Sequence, residues 1–581
     1  MMWESAYSAR TDLHKFGSNG LGLFALALRF GLDDLETVAA ESLMDGNDDK
    51  KLDFVYIDRD SGFAVIAQCY QAKKPGKASA PANKAADLNT GIAWLLRAEL
   101  SSLPEKLRPS AEDLRGCLDD GSINELYLWY IHNLPESANV RTELGVAEGS
   151  LNSALREAFP RRRFTTHVYE IGTEKLEALY QDTQSPILVN NTFRFKIDNG
   201  FEITGGTWTA YVTAISARFL YDTYRTHKSR LFSANVRDYL GSRSSDANIN
   251  NSIKSTVASD PADFWVFNNG LTLLVNSYQL IVEGNKKQLE IKGLSVVNGA
   301  QTTGAIGSLN RPPKKTAMVP VRFVQTANTE TIFNIIQYNN SQNKITAADF
   351  RSRDRVQKRL RLEFEKIPEA DYQGGRRGGH ADVIKRNPRL LPSYTVGQAL
   401  AAVNQDPVVA SNQKSDIWAD DRLYSKYFGE ETTAPHIVFC YSLLRAVEER
   451  KIGLVTKSKA DQCTLTENRE LEFFRNRGAT FLLVSAIASS LETILKRKIP
   501  KVSHLSFGTK CSPNTAEKIW GPIVEVVAPF SDQLREAFTH GLKNEEKVGR
   551  TLQTFQALVQ SSATITAPVF KTFSKRVRSK N

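Results

Sequence analysis

The stretch LDFVYIDRDSGFAVIAQCYQAK, residues 52–73, decides how the first part of the chain folds. Two runs rich in aliphatic and aromatic residues, LDFVYID and FAVIAQCY, flank Arg59-Asp60-Ser61-Gly62, a cluster of turn formers of the kind that joins antiparallel neighbours. The pattern predicts a hairpin. With the turn centred between Asp60 and Ser61, Asp53 lies directly opposite Gln68, so an acid and an amide share one face of the sheet. A carboxylate and a second oxygen ligand on adjacent strands suit a magnesium ion, which activates water and neutralises charge at a scissile phosphate.

This arrangement resembles nucleases of the PD-(D/E)xK type, whose pattern places a lysine two residues beyond the acid or amide. Here that position is Tyr70. The alternative frame, Gln71-Ala72-Lys73, has the right letters and the wrong parity: side chains alternate along a strand, so Gln71 and Lys73 point away from Asp53 unless a bulge shifts the register. Gln68 is therefore the favoured ligand, with Lys73 or Lys74 reaching in from the strand end and Glu41, on the preceding helix, as an additional carboxylate. The plain alternative is that Asp53 and Gln68 are partly exposed strand residues with no catalytic role.

The chain has 581 residues, long for one core, and divides into several units on a prior of about 150 residues per domain. Its 75 Lys and Arg against 64 Asp and Glu leave a formal net charge of +11, which favours an anionic partner, nucleic acid ahead of membrane. No uncharged apolar stretch reaches the roughly 18–20 residues of a spanning helix, and MMWESAYSAR is no signal peptide. The expectation is a soluble, cytoplasmic protein that does not enter membranes. Five scattered cysteines and eight histidines without HxH or HExxH spacing argue against a disulfide framework and a histidine-built metal site. Any metal would be held by oxygen.

Outward from the hairpin, GLGLFALALRFGLDDLETVAAESLM (20–44) has helical spacing. ELYLWYIHN (125–133) and HVYEIG (167–172) read as further strands, so the first 170 residues are expected to be α/β. FWVFNNGLTLLV (264–275) places Asn269-Gly270 between two β-like runs, a hairpin signal. LEIKGLSVVNGAQTTGAIGSL (289–309) reads as a strand ending at Val297, a turn at Asn298-Gly299 and a helix of small residues. TETIFNIIQYNNSQNKITAADF (329–350) reads as helix, Asn-rich turn, helix. From about residue 395 the pattern is mostly helical, and the basic tail KTFSKRVRSKN reads as a frayed terminus.

Three central segments, LFSANVRDYLGSRSSDANINNSIKSTVASDPADFWVFNNGLTLLV (231–275), GLSVVNGAQTTGAI (293–306) and IFNIIQYNNSQNKITAADFRSRD (332–354), closely resemble the AIPR family, the abortive infection phage resistance proteins, over roughly residues 225–420. Family members commonly carry an N-terminal domain like the restriction-endonuclease fold, with a pattern similar to ND-x-x-ID…Q-x-K. Asn47-Asp48, Asp53 and Gln68 match it by position and Tyr70 departs from its lysine. The resemblance implies residues 1–170 as a restriction-endonuclease-like domain and 171–224 as a connecting segment. It further implies 225–420 as a mixed α/β AIPR domain and 421–581 as a helical region with the basic tail.

The central motifs are rich in amides: Asn235, Asn268, Asn269, Asn298, Gln301, Asn339, Asn340, Gln342 and Asn343. Amides offer donors and acceptors without acid or base chemistry, so they suit recognition, and a turn at Asn298-Gly299 opening a helix presents N–H groups to a phosphate. The competing reading is that Asn269-Gly270 is turn geometry and the other amides satisfy backbone. Arg237, Arg243, Arg376, Arg377, Lys385 and Arg386 are candidate phosphate contacts. The combined expectation is an antiphage protein with a Mg²⁺-dependent endonuclease site acting on DNA or RNA and an amide-rich sensing domain, compatible with a homo-oligomer. The alternative is a non-enzymatic binding protein with a degenerate site.

Overall fold

A computed structural model describes residues 2–579, apart from 33, 45–49, 73–76, 106, 185–186, 188, 228–230, 233–252, 285, 329–330, 333, 337–350, 352–353, 375–386 and 539–541. After two short helices at Met2–Ala9 and Thr11–His14, α1 (Ser18–Phe30) and α2 (Leu35–Ser42) lead into the hairpin of β1 (Phe54–Asp58) and β2 (Phe63–Tyr70). After the hairpin come α3 (Ala82–Ile92), α4 (Arg108–Asp120), β3 (Glu125–His132), α5 (Ala138–Ala158), β4 (Thr165–Ile171) and α6 (Thr173–Gln184). The four strands lie in the order β1-β2-β3-β4, antiparallel at the hairpin and parallel thereafter. The period-two side-chain alternation feeds two cores. Ala64 and Ile66 pack with Leu88, Leu114 and Leu144 on one face, and Val65 and Ala67 pack with Phe24, Trp129 and Leu176 on the other. Helices cover both faces, which is why β2 and β3 are almost continuously apolar.

The central sheet is built from β5 (Val189–Lys196), β6 (Gly200–Thr204), β7 (Thr209–Ser216), β8 (Leu271–Val275), β9 (Ser277–Glu283), β10 (Lys286–Asn298) and β11 (Met318–Gln325). Its order is β5-β10-β8-β11-β7-β6, with β9 paired to β10 and only β8 and β11 parallel. Residues 171–224, read from sequence as a connecting segment, supply α6, three of these strands and α7 (Ala217–His227). The expected hairpin around Asn269-Gly270 is not formed: Phe264–Phe267 is a short helix, α8, and only the following run is a strand. The turn survives, because Asn268 Oδ1 accepts the Gly270 N–H at 2.9 Å and Gly270 takes φ +82°. What changes is what precedes it, since Phe264 alone of that run enters the core. The turn at Asn298-Gly299 opens α9 (Ala300–Gly307) as the spacing predicts.

The last part is helical, with α10 (Arg355–Phe364), α11 (Ser393–Val403), the 26-residue α12 (Ala434–Lys459), α13 (Ala479–Ser489) and α14 (Pro513–Val527) among its elements, around one core running from Leu360 to Val577. The basic tail is ordered through Ser579: Arg578-Ser579 pairs with Leu505-Ser506, and Arg497 donates to the Val577 carbonyl. A charged tail is held here by backbone pairing, which hydropathy does not report. No described helix is long and apolar enough to cross a membrane, and all five cysteines are free.

Candidate functional site

Strand β1 pairs with β2 in the register that the turn predicts, Phe54 against Ala67 through Asp58 against Phe63. One residue earlier the ladder is irregular. The Asp53 N–H also donates to the Ala67 carbonyl, at 2.9 Å, so Asp53 and Phe54 share one partner in the manner of a bulge. The Asp53 carboxylate then turns to the strand edge, where Oδ2 accepts the Cys69 N–H at 2.7 Å. It stands beside Gln68 without facing it squarely. Gln68 is 3% exposed, and its Oε1 accepts no hydrogen bond from the described residues. A buried oxygen without a donor costs about 1–3 kcal/mol.

Tyr70, at the position where the nuclease pattern has lysine, receives a hydrogen bond from Lys77 Nζ at 3.1 Å, with the ammonium also over its ring. Lys73 and Lys74 lie outside the described residues, as do Asn47 and Asp48. Glu41 lies two residues before Leu43, which bridges to Phe54. Helix α2 sends Leu35 and Ala39 into the core that takes Phe54, and the Glu41 carboxylate accepts from Thr480 Oγ1 at 3.1 Å.

The parallel strands add residues that the sequence pattern did not single out. Gln68 pairs with Tyr130, Tyr130 with Glu170, and Tyr70 with His132. The Tyr130 hydroxyl donates to the Pro81 carbonyl at 3.2 Å. His132 Nε2 lies 3.2 Å from Glu170 Oε1, which also accepts the Ser137 N–H at 3.0 Å. Burial pushes the His132 imidazolium down to about 4 and the Glu170 carboxyl up to about 7, so at neutral pH a neutral ring faces a carboxyl that exchanges its proton. Glu170 Oε2 is buried without a described partner. The signal was present in the sequence: both ELYLWYIHN and HVYEIG end their apolar runs in polar residues, at the strand ends where α/β sheets place ligands.

Among the described residues no three His, Cys, Asp or Glu side chains form a metal-binding group. The residues that could hold Mg²⁺ here are fewer, the Asp53 carboxylate and the Gln68 amide oxygen. Both are hard oxygen ligands, and this ion keeps several waters of its own.

A second polar cluster lies in the central sheet. Asn298 pairs with Thr272 on β8, and Thr272 with Arg322 on β11. Arg322 Nη2 donates to Thr272 Oγ1 at 2.6 Å. Asn268 Nδ2 donates to Thr302 Oγ1 at 3.1 Å, tying the turn before β8 to the first turn of α9. Gly299 has φ +95°, and a Cβ there would stand 2.0 Å from Leu271 Cδ2, so glycine is required where the two motifs meet. Asn298 is half-buried, while Asn269 and Gln301 are exposed. Asn268, Asn298 and their neighbours thus converge at one end of β8 and β10. Asn235, Asn339, Asn340, Gln342, Asn343, Arg237, Arg243, Arg376, Arg377, Lys385 and Arg386 lie outside the described residues.

The hairpin turn docks on the helical region. Arg59 donates to Asn412 and pairs with Asp113, which Arg477 also holds at 2.9 Å, and Ser415 donates to Asp60 at 2.7 Å. No curated protein and no solved structure matches the chain. A family does: residues 232–494 match the AIPR protein family, a region that takes in β8 to β11 and runs beyond residue 420 through α13, so four strands of the central sheet and part of the helical region lie within the match, while β5 to β7 precede it.

Proposed function

We propose that this chain is an antiphage protein of the abortive infection type, with a divalent-cation-dependent nuclease site on its N-terminal sheet and a nucleic-acid-sensing AIPR region. The observation that carries the nuclease reading is the buried Gln68 oxygen without a donor, next to the Asp53 carboxylate at the edge of an α/β sheet. The strand order, hairpin then parallel neighbours, supports a PD-(D/E)xK-like core. Asp53 and Gln68 would hold Mg²⁺, which supplies charge neutralisation at a scissile phosphate when bound. Lys77, drawn to the Tyr70 hydroxyl, offers the ammonium that the pattern otherwise places two residues after Gln68. Nucleic acid, DNA or RNA, is the proposed substrate, the cytoplasm the proposed location, and a homo-oligomer compatible with both.

A second reading has its own observation. The Asp53 carboxylate is engaged by the Cys69 N–H and Tyr70 replaces the lysine, which favours a degenerate site and defence by binding alone. Incubating purified protein with plasmid, single-stranded DNA and RNA in Mg²⁺, Mn²⁺ or EDTA separates the two. Metal-dependent cleavage lost in a folded Asp53→Ala variant supports the nuclease; cleavage unchanged in that variant removes the site assignment. Binding without cleavage under every condition supports the second reading.

A further inference from the structure

Tyr70 and Tyr130 stand at the end of the N-terminal sheet where Asp53 and Gln68 lie, and the fold treats the two phenols differently. Tyr130 is fully buried, and its hydroxyl donates to the Pro81 carbonyl at 3.2 Å. Burial pushes that phenol well above its usual range, so it keeps its proton and serves the fold. Tyr70 is half-buried at the end of β2, packed against the core that holds Ile66 and Leu128. Its oxygen accepts from Lys77 Nζ at 3.1 Å, and no described residue takes its own proton. Lys77 is exposed and forms no ion pair among the described residues.

Strand geometry sets Tyr70 beside the proposed ion ligands. It lies two residues beyond Gln68, so the two side chains leave the same face of the sheet, about 7 Å apart along the strand. A phenol brings no positive charge and cannot replace the lysine of the nuclease pattern in kind. What it brings is a nucleophilic oxygen, and Lys77 brings the charge to that oxygen.

We propose that Tyr70 is a nucleophile that forms a covalent phosphotyrosyl ester with the cleaved strand, while the Lys77 ammonium holds the phenol oxygen. The inference rests on the nuclease reading of this sheet end and adds the reacting group. The Tyr70 oxygen gives an electron pair to phosphorus, and its proton passes to water. The bond from phosphorus to one sugar oxygen breaks, and that oxygen takes a proton from solvent. One phosphate ester replaces another, so no oxidant, reductant or nucleotide cofactor enters, and the freed sugar hydroxyl can reverse the step. An ammonium hydrogen-bonded to the phenol oxygen offsets the negative charge that this oxygen takes on as its proton leaves. Direct attack by water is the plain alternative, and it gives the Tyr70 hydroxyl no part in the chemistry.

The test incubates the full-length protein in Mn²⁺ with single-stranded DNA and RNA oligonucleotides labelled at either end, and quenches in hot detergent. The wild type should carry a labelled strand that survives detergent and disappears on protease digestion. The end whose label stays with the protein shows which sugar oxygen left, and mass spectrometry should place the nucleotide on Tyr70. Tyr70→Phe keeps the ring and its packing, so circular dichroism should read it as folded while cleavage and adduct are both lost. Lys77→Ala should slow adduct formation about tenfold or more, and Lys77→Arg should restore part of the rate. Cleavage without an adduct, or cleavage at the wild-type rate in Tyr70→Phe, overturns the proposal and leaves the nuclease reading to be decided by Asp53→Ala. Absence of cleavage by the wild type overturns both.

Discussion

Arg445 and Asp34, 411 residues apart in sequence, meet with Nη2 2.7 Å from Oδ2 where the N-terminal unit docks on the helical region. Arg445 also donates to Glu448 at 2.6 Å, to Thr37 at 3.1 Å and to the Tyr441 hydroxyl at 2.9 Å, and Thr395 donates to Asp34. Against the upward push of burial, the Arg445 guanidinium holds the Asp34 carboxyl well below the usual range. Five donors fanned over partners from two regions make this arginine the hub of the junction.

Arg445→Ala should therefore destabilise the protein by roughly 3–5 kcal/mol, because Asp34 is left as a buried charge without compensation. The double variant Asp34→Asn, Arg445→Met should recover part of that loss. Denaturant midpoints of the three proteins measure it, and equal midpoints for wild type and Arg445→Ala would show that the ion pair is not what holds the units together.

The His132–Glu170 pair predicts a pH response in which two terms oppose. The neutral His132, pushed down by burial from 6.5 to about 4, contributes stability that is lost as pH falls from 6.5 towards 4, since the unfolded chain takes the proton first. The Glu170 carboxyl, pushed up by burial from 4.5 to about 7, contributes stability that is present below 4.5 and lost as pH rises through 7. Between 4.5 and 6.5 the slopes offset each other. Glu170→Gln should unmask a rise of stability with pH in that window, and His132→Asn a fall. Urea midpoints read at several pH values check the signs; parallel curves for all three proteins would exclude the pair as titrating groups.

What the sequence made legible follows from local chemistry. The Arg59–Gly62 turn set the hairpin register, and Asn298-Gly299 marked where β10 stops and α9 starts, because few residues other than glycine accept the φ that such a turn needs. What stayed hidden depends on distant partners. Asp53 leaves the regular ladder to satisfy the Cys69 N–H, Phe264–Phe267 coils although its residues favour strands, and Glu41 answers to Thr480, 439 residues away. The polar residues Tyr130, His132 and Glu170 came together through parallel pairing across two crossovers, which no spacing within one segment encodes.

Gln68 offers the sharpest separation of stability from function. Its neighbours on the same sheet face, Ile66 and Leu128, are fully buried, and its own Oε1 has no described donor. In the absence of a cation that oxygen is a net loss, so Gln68→Leu, close in volume and free of polar atoms, should stabilise the metal-free protein by about 1–3 kcal/mol. The same change removes an oxygen from the proposed ion site and should abolish any stabilisation that Mg²⁺ or Mn²⁺ confers on the wild type. Melting curves in EDTA and in excess Mn²⁺ give both numbers from one preparation. A variant less stable in EDTA would mean that the amide is satisfied within the fold, by a donor such as buried water, and the argument that it awaits a cation would fall.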